Sequence, residues 1–201
     1  MRNRSIGLTA LLLSFPLVAS AQAASAPPEI LPANVQVAAA VLPLPEEFRA
    51  SATVLGYQGD AKSLVTLRAG TGAYICLADD PKEADRFHVA CYQKDLEPFM
   101  LRGRELRAQG VVDVDSARFA DMKAGKLSMP SHPSALYSLT GKRAQFDAAT
   151  GVFSGARPLY VVYIPNATPE TVGLPSKPAG TGPWIMFPGT PKAHIMFTVS
   201  M

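Results

Sequence analysis

Cys76 and Cys91 are the two cysteines of this 201-residue chain, and each sits inside a strand-like run. Residues 73–77 read Ala-Tyr-Ile-Cys-Leu and residues 86–92 read Arg-Phe-His-Val-Ala-Cys-Tyr. Between them, Asp79-Asp80-Pro81-Lys82-Glu83-Ala84-Asp85 is turn chemistry. A hairpin centred near Glu83 and Ala84 sets Cys76 opposite Cys91, and Asp79 opposite His88. Directly opposed residues have Cβ atoms about 4.5–5.5 Å apart, close to what a disulfide needs. Closing a loop of this length contributes roughly 3 kcal/mol, mainly by restricting the unfolded chain. The spacing is not Cys-x-x-Cys, and no histidine stands at ligand spacing to complete a zinc set. The pair therefore predicts a structural disulfide.

An oxidised pair belongs outside the cytosol, and the N-terminus agrees. Arg2 and Arg4 precede a mostly apolar run from Ile6 to Val18, followed by the small residues Ala-Ser-Ala-Gln-Ala-Ala-Ser-Ala. That order predicts a secretory signal, cleaved after Ala21, Ala23 or Ala26. The run is short of the roughly 20 apolar residues a spanning helix needs, and Pro16 interrupts it. No cysteine lies near the cleavage region to carry lipid. The expectation is a soluble periplasmic or secreted protein with no transmembrane segment after cleavage. The chain has 19 Lys+Arg and 16 Asp+Glu. Losing Arg2 and Arg4 with the signal leaves 17 against 16, a near balance that gives nucleic-acid binding no support.

Three regions follow: a signal over 1–26, a Pro/Ala-rich lead-in over 27–50, and a single α+β domain over 51–201. Pro27, Pro28, Pro32, Pro43 and Pro45 predict an extended lead-in, with a short strand or a turn of helix between Val35 and Leu42. Strand-like runs at 52–57, 63–68, 73–77 and 86–92, with turn residues between them, predict an antiparallel β meander. After Lys94 the period changes. Leu96, Phe99, Met100, Gly103 and Leu106 recur at helical spacing, with Gly110 as the stop. A second helix is predicted over 115–123, capped at Asp115-Ser116, with Phe119 and Met122 inward. Further antiparallel strands follow at 135–139, 159–165, 184–187 and 193–199, with a hairpin over 145–154. The run at 159–165 reads as a central strand. The long Pro/Gly/Thr/Ser loop over 166–183 has the length of a functional loop or a disordered one. The expected fold is thus an α+β meander with one or two helices packed on it and further strands after them.

The chain carries no Gly-x-Ser-x-Gly elbow, no Ser-x-x-Lys pair, no His-Glu-x-x-His, no phosphate loop and no dinucleotide fingerprint. The catalytic candidates are His88 with Asp79, as an acid–base pair for a hydrolase, or His194. Met186, His194 and Met196 bracket a Pro-Gly-Thr-Pro turn, and soft thioethers with an imidazole suit Cu(I). The competing reading makes both methionines core fillers. His132, near Met129 in a proline-flanked loop, reads as exposed. Lys94, Arg102, Arg104 and Arg107 read as a solvated face, partly neutralised by Glu97 and Glu105. Tyr160, Tyr163 and Trp184, beside the 166–183 loop, are the candidate contact residues for a small-molecule ligand or an envelope protein.

The segments Leu96-Glu97-Pro98-Phe99-Met100, Arg102-Gly103-Arg104-Glu105-Leu106-Arg107, Pro188-Gly189-Thr190-Pro191 and Ala193-His194-Ile195-Met196 resemble parts of uncharacterised secreted bacterial proteins. The likeness extends over most of the chain after the signal and implies no activity. The expected role is a non-catalytic ligand- or protein-binding domain of the cell envelope, without a cofactor. A hydrolase-type enzyme and a copper-handling protein are the alternatives.

Overall fold

The computed structural model describes residues 29–59 and 63–198, so the expected signal segment lies outside the described residues. Two short helices open it, α1 (Ala33–Ala40) and α2 (Glu46–Arg49). Strands β1 (Thr53–Gly56), β2 (Val65–Arg68), β3 (Tyr74–Leu77) and β4 (Arg86–Gln93) follow. Helices α3 (Glu97–Ala108) and α4 (Val114–Lys123) interrupt the strands. The chain then returns to β5 (Ser134–Lys142), β6 (Arg157–Tyr163), a turn of helix α5 (Pro169–Val172), β7 (Trp184–Met186) and β8 (His194–Thr198). All eight strands join one sheet in the order β2-β1-β3-β4-β5-β6-β8-β7. The fold is α+β and mostly antiparallel.

The start of the sheet departs from a simple meander. β3 pairs with β1, in parallel, and not with β2. The cause is the glycine turn between β2 and β3. Gly70 and Gly72 pass against the backbone that leads into β1, where Gly72 N–H donates to Ser51 O at 2.8 Å. A Cβ on Gly70 would stand 2.3 Å from Ser51 O and 2.5 Å from Thr53 N. Glycine at this crossing lets the chain reach the far edge of β1. The hairpin of β3 and β4 has the expected register: Cys76 faces Cys91 and the two form a disulfide.

Strand parity decides which residues meet which helices. Val54, Cys76 and Cys91 are register partners and share one face. There they pack against Ala40, Val41 and Leu44. Ile75 and Tyr92 point the other way and pack with Leu96 and Met100 of the α3 region, together with Val161 and Tyr163. β4 thus has a layer on each side, and Phe87 and Val89 through Tyr92 are all buried. A third cluster forms where Phe87 stacks on Phe146 at 4.3 Å and meets Phe153 edge-on at 5.0 Å. The expected hairpin over 145–154 closes through the bridge of Phe146 to Phe153 and the bonds from Asp147 N–H to Val152 O at 2.8 Å and from Ser154 N–H to Gln145 O at 3.0 Å.

The lead-in, expected to be extended with a short strand or a turn of helix between Val35 and Leu42, holds the full helix α1. Pro32 stands just before α1, and Pro43 and Pro45 stand after it, so the prolines bound the helix and none interrupts it. Gln36 ties α1 to the sheet. Its Nε2 donates to Leu31 O and Tyr57 O, and its Oε1 accepts from Tyr57 N–H at 2.8 Å.

α3 follows the expected apolar spacing, with Phe99, Gly103 and Leu106 buried. α4 differs in two respects. Its cap is Asp113, whose carboxylate accepts from Ser116 N–H at 3.0 Å. Its buried residue is Arg118, while Phe119 and Met122 are half-buried. Arg118 lies 3.8 Å over the Phe99 ring, donates to Phe99 O at 3.1 Å and pairs with Asp115. Asp115 is freed from capping for that pair and for Lys192 at 2.6 Å.

Candidate functional site

Two open regions lie on opposite faces of the sheet. The first, about 830 Å³, is a groove between α3 and strands β1, β3 and β4. Leu55, Leu77, Ala90 and Leu101 line it, and His88 and Arg104 supply polar groups. His88 shares a face with Ala90 and Tyr92 by strand alternation. Burial, with Arg86 adding to it, holds the His88 imidazole below its ordinary range, so the ring is neutral at neutral pH.

Asp79 and His88 come together as the register predicts, but through the backbone. The Asp79 carboxylate accepts from His88 N–H at 2.7 Å and pairs with Arg143 at 2.6 Å. Burial raises the Asp79 carboxyl above its usual range, against the opposing pull of that N–H and of Arg143. The imidazole is not one of its partners, so the pair lacks the carboxylate–imidazole hydrogen bond of an acid–base couple. Deeper in, the Tyr92 hydroxyl donates to Glu97, and Arg104 donates to both Tyr92 at 2.9 Å and Glu97 at 2.6 Å. Burial first, and then the bond to Glu97, pushes the Tyr92 phenol up. Arg102 turns away to Asp121 at 2.6 Å and Glu105 at 3.4 Å. Arg102 and Arg104 are thus held in separate pairs.

On the same face, β7 and β8 bring His194 opposite Met186, with Met196 two residues on and opposite Trp184. Met196 packs into the cluster of Tyr92, Leu96, Val161 and Tyr163. His194 Nδ1 lies 2.7 Å from Lys192 O, and its ring lies 4.9 Å from that of Tyr163. Burial lowers the His194 pKa, so the imidazole is neutral and Nδ1–H is the donor to Lys192 O. No group of three or more His, Cys, Asp or Glu stands at metal-binding geometry among the described residues. His132 is exposed and contacts Asp95 at 3.0 Å, whereas Met129 packs into the core.

The second region is a hollow of about 600 Å³ on the other face, lined chiefly by Tyr137, Tyr160, Val162, Phe197 and Thr181. It separates the three aromatic candidates. Tyr160 opens into the hollow at 36% exposure, while Tyr163 at 7% and Trp184 at 9% are buried. Tyr160 and Tyr163 are three residues apart on one strand, and a strand alternates sides every residue, so they cannot share a face. Trp184 goes with Tyr163 because its register partner Met196 faces Val161.

Tyr160 instead belongs to a row that sequence reading missed. Cys91, Tyr137, Tyr160 and Phe197 are successive register partners across β4, β5, β6 and β8. Tyr74 and Phe48 extend the row past the disulfide, with ring centroids at 5.4 Å (Tyr137–Tyr160), 5.8 Å (Tyr74–Tyr137) and 5.1 Å (Phe48–Tyr74). The alternation of Tyr137 and Tyr160 within their strands was visible in the sequence, but the pairing that aligns them was not. The 166–183 loop closes one side through Thr181. Part of that loop is ordered by α5, which Thr168 caps and left-handed Gly173 ends.

Compared with protein-family models, with curated proteins and with solved structures, the chain gives no match.

Proposed function

We propose that this is an exported, non-catalytic binding protein of the cell envelope, and that the aromatic hollow is where it takes its ligand or partner. The observation that carries the reading is that Tyr137, Tyr160 and Phe197, register neighbours across the sheet, line the hollow, with Tyr160 and Phe197 exposed and with Tyr74 and the exposed Phe48 of α2 continuing the row beyond it. Exposed aromatics gathered in one concave patch are the usual chemistry of recognition, since they bury large area with few rotatable bonds.

The groove on the opposite face is larger, and two of its carboxylates are held by ion pairs. Asp79 is held by Arg143, and Glu97 by Arg104 and Tyr92. The disulfide and the expected signal segment support an envelope location, and no helix among the described residues is long and apolar enough to cross a membrane.

The test is capture from an envelope fraction by the mature protein, run beside the Tyr160→Ala/Phe197→Ala pair. Material retained by the parent and lost by the pair, with His88→Ala unaffected, is the expected result. Equal retention by parent and pair would place binding elsewhere.

A further inference from the structure

On the face opposite the aromatic hollow, β7 and β8 bring one imidazole and two thioethers to neighbouring positions. We infer that Met186, His194 and Met196 form a binding site for a soft monovalent metal ion, Cu(I).

Register sets the three residues together. Met186 is the register partner of His194, and Met196 lies two residues further along β8. Directly opposed residues share a face with Cβ atoms about 4.5–5.5 Å apart, and the diagonal neighbours Met186 and Met196 are about 7–8 Å apart. Strand alternation keeps His194 and Met196 on the same side. Methionine is unbranched and flexible, so both sulfurs can close on an ion held at the imidazole. Both methionines are half-buried.

His194 is prepared as a ligand. Its Nδ1–H donates to Lys192 O at 2.7 Å, which fixes the tautomer and leaves the lone pair on Nε2. A backbone carbonyl on the other ring nitrogen is a common second contact of metal-bound histidines. The residue is 6% exposed, yet Nε2 has no hydrogen-bond partner among the described residues. Buried polar atoms are nearly always paired, so a free lone pair on a buried imidazole calls for a ligand. Two methionines acting only as core fillers would leave it unexplained. Nor is Nε2 sealed off, since Arg118 Nε is the one fully enclosed side-chain polar atom without a partner among the described residues. Tyr163 at 4.9 Å and Phe187 at 5.6 Å flank the ring. Phe187, the residue after Met186, holds a φ of 52°, a left-handed value that a bulky side chain adopts only where the surroundings impose it.

The donor set selects the ion. Thioethers are ligands for soft Cu(I), whereas Mg2+ and Ca2+ take oxygen, and Zn2+ takes thiolate, imidazole and carboxylate. Both cysteines are spent in the disulfide, and no group of three or more His, Cys, Asp or Glu stands at metal-binding geometry among the described residues. The Asp115 carboxylate is engaged by Lys192 and Arg118. The Lys192 ammonium, 4.2 Å from the Phe187 ring, adds a positive charge beside the site, and that charge opposes a divalent ion more than a monovalent one.

The experiment titrates the mature, disulfide-bonded protein with Cu(I) under anaerobic conditions, in competition with bicinchoninate. A parallel titration uses Ag(I), which needs no reductant and spares the disulfide. Trp184, the single tryptophan and the register partner of Met196, reports binding by its fluorescence. One equivalent of Cu(I) is expected, with quenched Trp184 emission and no retention of Zn2+. Affinity should fall about tenfold or more in Met186→Leu and in His194→Gln. Met129→Leu, in a methionine that packs against the same cluster as Met196 but lies on neither strand, should bind as the parent does. Met→Leu nearly conserves volume, so the methionine variants should fold, and an unchanged melting temperature checks this. Three outcomes overturn the inference: no Cu(I) retained against the chelator, binding indifferent to both Met186→Leu and His194→Gln, or Zn2+ held as tightly as Cu(I). None of them bears on the aromatic hollow, which lies on the other face of the sheet.

Discussion

Arg118 carries more of the packing between α3 and α4 than any apolar residue of α4. Its side chain is 4% exposed, lies over the Phe99 ring and is held by Phe99 O and Asp115, with Nε the one buried side-chain polar atom left without a partner among the described residues. A helical-periodicity reading puts Phe119 and Met122 inward because they are apolar. It cannot foresee that a guanidinium wins the buried position by lying on an aromatic face and pairing with a carboxylate one turn away. Gly103 makes the room, since a Cβ there would stand 2.9 Å from an Arg118 terminal nitrogen. Gly103→Ala should therefore destabilise the protein by about 1 kcal/mol, the crowding outweighing the gain in helix propensity. In an Arg118→Met background the same change should become neutral or stabilising. Urea denaturation of the four proteins measures the coupling, and strict additivity would show that Gly103 does not serve Arg118.

At the scale of elements, the hairpin of β3 and β4 is where local chemistry was sufficient. Turn residues, strand-forming residues and two cysteines all implied one register, and Cys76 meets Cys91 in it. Converting both to alanine should lower the unfolding free energy by about 3 kcal/mol, the loop-closure contribution for a separation of 15 residues. A loss well under 1 kcal/mol in denaturant melts would mean the hairpin is already formed in the unfolded ensemble. The neighbouring elements show where local reading stops. Runs at 52–57 and 63–68 were legible as strands. That β3 crosses to the far edge of β1 depends on Gly70 lying against the Ser51 and Thr53 backbone, a contact between segments distant along the chain. In the lead-in the prolines suggest an extended chain and leave a short strand or a turn of helix open between Val35 and Leu42, and burial of Ala39, Ala40 and Leu44 decides for the helix.

For the molecule as a whole, stability should fall on the acid side of neutrality. His88 and His194 are both held below their ordinary range, chiefly by burial. A histidine whose folded pKa is depressed is neutral in the native state while the unfolded chain takes up a proton. Its contribution is present in full above about pH 6.5 and is lost as pH drops below that value towards the folded pKa. Asp79 works in the reverse sense at lower pH, because its raised carboxyl is protonated more readily in the folded state. Unfolding free energy measured across the mildly acidic range should decline with pH, and His194→Gln should flatten part of that decline. A profile identical to the parent's would show that His194 is solvated in solution.

The candidate site divides along the same line. From residue types, order and period alone came the α+β class, most of the strands and both larger helices, and the disulfide, with Tyr160 as a candidate contact residue. These are properties of short segments, where periodicity, turn chemistry and covalent reach act over a few residues. The tertiary structure decided the rest. It put Tyr163 and Trp184 on the buried face, gave the Asp79 carboxylate to Arg143 and a backbone N–H, and aligned Tyr74, Tyr137, Tyr160 and Phe197 into one row. Register between strands far apart in the chain determines which side chains are neighbours, and that register follows from burying both faces of one sheet at once.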